Sequence, residues 1–177
     1  MMSTLATLTK TGRAAIAKAI LARPLHLAWG TGDEAWDAAD AELPSLVDAK
    51  ALVCEVGRRT VSATGFVEPC ETGGIVIPVG VKPDGSVEEA RYQQVEGPTP
   101  YLYLRVNYDF TDANNATIRE MGVFMDTATQ AGLPAGQQYF TPAELSDAGL
   151  LLAAQIISPP INRSPSVRQT IEFVLPI

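Results

Sequence analysis

The stretch PLHLAWGTGDEAW, residues 24–36, combines a helix stop, a strand and a turn. Pro24 disfavours helical backbone in the residue before it, so a preceding helix should end here. Apolar side chains at alternate positions of residues 25–29 are typical of a strand with one apolar face. Gly30-Thr31-Gly32 then leads into a run of acids, and the stretch holds both tryptophans and the only histidine. We therefore expect the strand to lie in the core and the acidic run at the surface.

The remaining sequence predicts one N-terminal helix followed by many short strands. Apolar residues recur at helical spacing over residues 5–23, with Thr9 or Thr11 as the N-cap. Residues 101–110 alternate as a strong strand, and 13 prolines with 14 glycines favour frequent turns. The expected fold class is α+β, mainly β: a helix packed on a sheet or sandwich of about six to eight short, mostly antiparallel strands.

The length of 177 residues is that of one domain. We expect a single domain over residues 1–177, with the helix at 5–23 and a β-rich body at 25–177. The polar segment near residues 82–100 is expected to be a loose loop, with the residues of a β-turn at 82–85. No apolar run is long enough to span a membrane.

The charge and the cysteines exclude several kinds of partner. A net charge of −7 disfavours a nucleic-acid partner, because phosphate binding needs a basic face. Two cysteines, Cys54 and Cys70, with a single histidine do not make a zinc site. We expect two free thiols in a reducing compartment, and a disulfide between them remains an alternative. No cofactor is expected.

The residues offer little sign of catalysis or metal binding. His26 and Cys54, with an acid, could form a hydrolase site, but neither lies in a recognisable catalytic motif. The pair Arg58-Arg59 is expected to be a solvated turn. Four acids could gather around a cation, although the calcium-loop pattern D-x-D-x-D-G is missing: Asp33, Glu34, Asp37 and Asp40. An acidic surface loop, with no catalytic residue and no metal, is the prediction.

Four short motifs lie in order along most of the chain: LTKTGRAAIAKAI, then PLHLAWGTGD, then EVGRR, and later TIREMGVF. Together they resemble the N-terminal domain of bacteriophage tail-collar and tail-fibre proteins. The matching positions are Leu8, Thr9, Gly12, Ile16 and Ala19; Gly30, Gly32 and Asp33; Glu55, Val56 and Arg58; and Ile118, Arg119, Glu120, Gly122 and Phe124.

This resemblance implies a structural virion protein of a phage tail, made in the host bacterial cytoplasm. It implies a baseplate or fibre-attachment subunit that joins the tail fibre to the tail tip. Its partners would be other tail, baseplate or fibre subunits and further copies of itself. Because the sequence ends at Ile177 without a repetitive shaft, we expect an adaptor or baseplate subunit rather than the fibre.

The acidic run is the expected place of contact with such neighbours. The candidate interface residues are Trp36, Asp33, Asp37 and Asp40. Aromatic residues are enriched at interface hot spots, although Trp36 folding back on its own domain is an equal alternative. Two other functions stay open: a small soluble hydrolase using His26 and Cys54, and a generic ligand-binding β domain.

Overall fold

The computed structural model describes residues 6–81 and 86–177. These residues form one α-helix, two short 3-10 helices and twelve strands in three antiparallel sheets. The elements are α1 Lys10–Leu21, β1 Leu25–Gly30, β2 Glu55–Thr60, β3 Ala63–Pro69, β4 Ile75–Val81, β5 Val87–Val95, β6 Tyr101–Tyr108, β7 Thr117–Met125, β8 Ala128–Thr129, β9 Tyr139–Phe140, β10 Leu145–Asp147, β11 Leu150–Asn162 and β12 Gln169–Pro176.

The mainly β fold class with an N-terminal helix is confirmed. The described residues hold more strands than the six to eight expected, because β8, β9 and β10 are only two or three residues long. Strands this short leave no alternating pattern in a sequence. No helix within residues 6–81 and 86–177 has the length and apolarity needed to cross a membrane.

The chain divides into two compact units. The first unit comprises the residues up to Ala22, Ala63–Arg105 and Glu172–Ile177. The second unit comprises Arg23–Ser62 and Val106–Ile171. The prediction of a single domain over residues 1–177 stays a prediction.

The helix α1, in the first unit, begins later than predicted. Thr9 is its N-cap, and the Thr9 hydroxyl accepts a hydrogen bond from the Gly12 amide at 3.1 Å. The predicted start at Leu5 lies outside the described residues. Ala17 is fully buried, whereas Leu8 and Ile16 from the expected apolar face are 51% and 41% exposed. One face of α1 therefore packs inside the unit and another remains open to solvent.

The first unit is built on a five-stranded sheet with the order β12-β6-β3-β5-β4. Val67, Leu102 and Leu104 are fully buried in it. The segment expected to be a loose loop forms β5 instead, which pairs with β3 and β4. Its half-buried residues Ala90 and Tyr92 alternate with exposed polar ones, and this alternation was hidden by the polar composition. The predicted turn at residues 82–85 lies outside the described residues.

The second unit is built on the five-stranded sheet β11-β7-β1-β2-β9. The predicted strand at residues 25–29 is its central strand, β1. All six residues of β1 are buried, so the expectation of a single apolar face was wrong. Trp29 stacks on Tyr108 with ring centroids 3.5 Å apart, and the Tyr108 hydroxyl donates to the Leu27 carbonyl at 2.6 Å. On the opposite face His26 meets the edge of Phe140.

Candidate functional site

In the second unit, two charged residues of the motif TIREMGVF form hydrogen bonds with the segment that joins β1 to β2. They are Arg119 and Glu120, and we call their contacts the fastenings of this segment. We call residues 31–54 the β1–β2 loop. It is 24 residues long by its numbering and contains a single 3-10 turn, Glu34–Asp37. Loops of this length without extended secondary structure are usually functional or disordered unless something fixes them.

The first fastening is made by Arg119 in β7. Its guanidinium Nε lies 3.0 Å from both carboxylate oxygens of Asp37, and its Nη2 lies 2.9 Å from Oδ2. Its Nη1 donates to the Thr31 carbonyl at 3.2 Å. Arg119 is 8% exposed, and the hydrogen bonds to Asp37 raise its pKa. A bidentate pair of this kind fixes geometry as well as charge. The start of the β1–β2 loop is thereby held on the sheet.

The second fastening is made by the next residue, Glu120. Its carboxylate accepts hydrogen bonds from the backbone amides of Val53 at 3.0 Å and Cys54 at 2.8 Å. Glu120 is 4% exposed, so the charged acceptor is removed from bulk water. Hydrogen bonds from amides to a buried carboxylate are among the strong ones. The end of the β1–β2 loop is thereby held beside its start.

Two glycines make these contacts sterically feasible. A Cβ at Gly30 would collide with the Glu120 carboxylate and would lie 2.8 Å from the Cys54 carbonyl oxygen. Gly32 has a φ of +55°, and a Cβ there would collide with the Trp36 ring. The Gly-x-Gly sequence is therefore required for close approach and for left-handed backbone, which fits its predicted role as a turn.

A third charged group, centred on Arg58 in β2, lies in the interior. Its Nε and Nη2 donate to the two carboxylate oxygens of Glu55 at 2.8 and 2.7 Å. Its Nη1 donates to the Thr127 hydroxyl and the Ala148 carbonyl, and its guanidinium lies 3.9 Å from the Phe124 ring centroid. Arg58 is 1% exposed, so the expectation of a solvated turn was wrong.

The pairing of Glu55 with Arg58 depends on a β-bulge. Residues three apart on a regular strand point to opposite faces. Here the β1–β2 register shifts between Trp29 and Gly30, so that Gly57 pairs with Trp29 and Glu55 pairs with Gly30. The extra residue turns the Glu55 side chain to the face that carries Arg58, which is a common use of a bulge. Neighbouring Arg59 pairs with Asp112 and is only partly exposed.

The four predicted interface residues have different environments. Asp33 caps the 3-10 turn by accepting from the Ala35 amide at 2.9 Å, and Asp37 is bound to Arg119. Trp36 is half-buried against Gly32, and Asp40 is exposed. Asp33 and Asp37 thus shape the β1–β2 loop, while Asp40 faces solvent. An interface at these residues stays a prediction.

The structure separates the two residues of the alternative hydrolase site. His26 pairs with Thr60 in the β1–β2 register, whereas Cys54 precedes Glu55 at the other end. Four strand residues correspond to about 13 Å, which is too far for a nucleophile and its base. Burial, together with nearby Arg58, lowers the pKa of His26 to about 4, so its ring is neutral at pH 7.

The four acids weighed as possible cation ligands do not form a metal-binding group among the described residues. In the part of the chain that the structure describes, no three histidines, cysteines or acids lie close enough to hold a metal ion. Cys54 and Cys70 are both free thiols, as expected.

One buried arginine of the second unit was missed by the sequence interpretation. Arg163 is 6% exposed and lies 5.3 Å from the Trp29 ring centroid. It donates to the backbone carbonyls of Asp109, Asp112 and Val167. These bonds tie the segment after β6 to the segment after β11. Its position within a proline-rich segment, SPPINRSP, gave the only signal that it was unusual.

The buried charges of the second unit fasten a surface loop and tie segments of backbone together. These charges therefore serve to hold the structure of a mainly β protein. The chain matches the family described as baseplate wedge 3 tail fiber network component over residues 5–177, and it belongs to that family. It is therefore a structural component of the phage baseplate, located in the virion tail and in contact with other tail subunits. A comparison with curated proteins finds no match.

Proposed function

We propose that this chain joins the tail fibre to the tail tip, and that it does so as a homo-oligomer whose contacts involve the β1–β2 loop. The observation that carries the proposal is the fastening of this loop at both ends. Adjacent residues of β7, Arg119 and Glu120, hold its start and its end.

The fastened loop exposes three apolar side chains. Leu43, Val47 and Val53 are 48%, 90% and 66% exposed, so they contribute little to the core of their own unit. Burying an arginine and a glutamate carries a desolvation cost that only good pairing offsets. Exposed apolar residues grouped on an ordered segment are typical of protein interaction sites. The loop therefore presents exposed apolar side chains on a segment whose two ends are held in place, which suits an assembly surface.

The same loop is strongly acidic, with six acids and one lysine. Charge of one sign selects partners and speeds their association. Within it we assign Asp40 to contact with a neighbour and Trp36 to the role of a half-buried aromatic anchor. Asp33 and Asp37 hold the shape of the surface through their internal hydrogen bonds.

We also propose synthesis in the host bacterial cytoplasm. Support comes from Cys54, which is exposed and remains a free thiol. Cysteines in a reducing compartment are kept in this state.

Placing a charge at an exposed apolar position of the loop tests the proposal. In phage carrying Leu43→Asp or Val47→Asp, we expect tails to form but fibre attachment to fall by about tenfold or more, because a carboxylate would be desolvated in the contact. Attachment is counted on particles by electron microscopy. The control is Val167→Asp, a similarly exposed valine outside the loop. Fibres present on the loop variants at the wild-type number would refute the proposal.

A further inference from the structure

β11 is an outer strand of the five-stranded sheet in the second unit. Which of its backbone groups face outward follows from the neighbouring strands. The Asp126 amide donates to the carbonyl of the residue before β1, and successive residues of a strand alternate in direction, so the odd-numbered residues of β7 bond to β11. Their partners include Ala153 and Gln155, which leaves the amides and carbonyls of Ala154 and Ile156 on the outer edge. Among the described residues, neither of these two makes a backbone hydrogen bond on that edge.

This edge lacks the features that usually protect an outer strand. Residues 148–162 contain no charged side chain, and residues 153–157 contain no proline. The register with β7 shifts between Leu151 and Ala153 and again after Ile156, but the stretch Ala153–Ile156 pairs with β7 one to one. Outer strands of soluble proteins are commonly blunted by charge, proline or a bulge. An outer strand without these features is a site where another strand can add.

The sequence of the edge is complementary to itself in size. Residues 153–157 read AAQII: two small side chains, a glutamine and two large side chains. In an antiparallel pair of two copies centred on Gln155, Ala154 faces Ile156 of the second copy, and Ala153 faces Ile157. Each small side chain meets a large one, and no charge lies in the contact. Pairs of side chains directly opposite each other are what stabilise neighbouring strands.

The same register agrees with the backbone groups that the edge has free. Ala154 and Ile156, whose backbones face outward, form the hydrogen-bonded pairs, and Gln155 lies opposite itself at a non-hydrogen-bonded pair. The Gln155 side chain is exposed, and each of two glutamine amides can both donate and accept. A register two residues away would place Ala154 against Ala154 or Ile156 against Ile156. The centre at Gln155 is therefore the one that satisfies both size and hydrogen bonding.

We propose that β11 pairs with β11 of a second copy, antiparallel, across a two-fold axis at Gln155. The contact is isologous and closed, so it joins two copies and no more. The occupant is a second copy because the edge calls for an uncharged strand with small residues facing Ile156 and Ile157, and its own sequence supplies one. The inference rests on the proposed function, since it names a self-contact of the homo-oligomer on an element other than the β1–β2 loop.

A single cysteine tests the register in the purified full-length chain. Cys54 and Cys70 are first replaced by serine. We expect Gln155→Cys then to form a disulfide-linked dimer under mild oxidation, because the Cα atoms of a non-hydrogen-bonded pair lie within the span of a disulfide. Ser158→Cys, exposed on the same strand, is the control. It would face Leu152 and should cross-link at least about tenfold more slowly. Non-reducing electrophoresis measures both rates.

Charge at the axis tests the same contact without a covalent bond. Alone, Gln155→Lys and Gln155→Glu should each dimerise more than about tenfold less tightly than wild type, because like charges directly opposite each other destabilise a sheet. An equimolar mixture should recover the dimer, since lysine then faces glutamate. Sedimentation velocity measures the association, and circular dichroism confirms folding. The same two substitutions at Gln93, an exposed glutamine of β5, should leave association unchanged.

Three results would each overturn the pairing: a wild-type chain that is monomeric at its highest soluble concentration, a Gln155→Cys chain that cross-links no faster than Ser158→Cys, or a mixture that stays monomeric. If the chain is monomeric and Gln155→Lys phage lose their fibres, the edge instead receives a strand of another tail protein. No cross-link, with fibres lost from the Val47→Asp phage, would leave the fibre-joining role of the β1–β2 loop standing. A cross-link with fibres still attached would remove that role and keep the pairing.

Discussion

Gly30 shows how a single residue controls the position of the β1–β2 loop. No side chain fits between its backbone and the Glu120 carboxylate, which must reach the Val53 and Cys54 amides. The nearest backbone atom, the Cys54 carbonyl oxygen, cannot move without shifting the hydrogen-bonded end of the loop. The glycine and the glutamate, ninety residues apart in the numbering, therefore form one structural feature.

We expect Gly30→Ala to lower the free energy of unfolding by about 2–3 kcal/mol, because the added methyl overpacks a buried site. Urea titration of the purified chain measures the change. The control is Gly97→Ala, where a Cβ would meet nothing within 4 Å. That variant should lie within about 0.5 kcal/mol of wild type, as exposed substitutions usually do. Equal stability of the two variants would show that the Glu120 contact does not need the glycine.

At the scale of the elements, β7 serves both the sheet and the loop. Ile118 and Phe124 are buried in the core, while Arg119 and Glu120 reach out to the β1–β2 loop. Gly122 allows Leu151 of β11 to approach, since a Cβ there would lie 2.8 Å from its Cδ1 atom. The loop is therefore held in place by a strand that is distant in sequence. The composition of the loop alone would not order it.

We expect Glu120→Ala to release the end of the loop while the sheet stays folded. The amides of Val53 and Cys54 lose their acceptor, so their hydrogen exchange should accelerate by about ten- to hundredfold, corresponding to about 1–3 kcal/mol. Hydrogen exchange followed by mass spectrometry or NMR measures it. Glu42→Ala, an exposed acid of the same loop, is the control and should leave these amides unchanged. Unchanged protection in Glu120→Ala would exclude the fastening.

The elements differ in how far their sequence determines them. The strands β1 and β6 were predictable because apolar residues alternate over the length of each strand. The Thr9 cap was predictable because its hydroxyl accepts a hydrogen bond from an amide only three residues away. β5 was missed because its polar composition concealed the alternation. The partners of Arg58, Arg119 and Glu120 could not be predicted, since a charged residue in a strand gives no sign of which distant backbone it will reach.

At the scale of the whole molecule, His26 links stability to pH. Its ring is 6% exposed, its Nε2 lies 3.3 Å from the Thr60 hydroxyl, and its Nδ1 has no partner among the described residues. Burial first, and the positive charge of Arg58 second, lower its pKa from 6.5 to about 4. At a pH between these two pKa values, His26 is mostly protonated in the unfolded chain and mostly neutral in the folded chain. Stability therefore rises with pH across this window and is fully present above pH 6.5.

We expect His26→Gln to remove this dependence. Between pH 7 and pH 4.5 the free energy of unfolding of the wild type should fall by about 2 kcal/mol more than that of the His26→Gln variant. Both tryptophans, Trp29 and Trp36, lie in the same unit as His26, so urea titration followed by tryptophan fluorescence reports on that unit. Asp109 and Glu144 have pKa values held below their usual range by hydrogen bonds. Both are present in wild type and variant, so their contribution cancels in the comparison. An equal loss of stability in wild type and variant between pH 7 and pH 4.5 would mean that His26 accepts its proton in the folded state. The buried ring would then be accessible to water, which the closed packing of β1 against β2 and β7 does not allow.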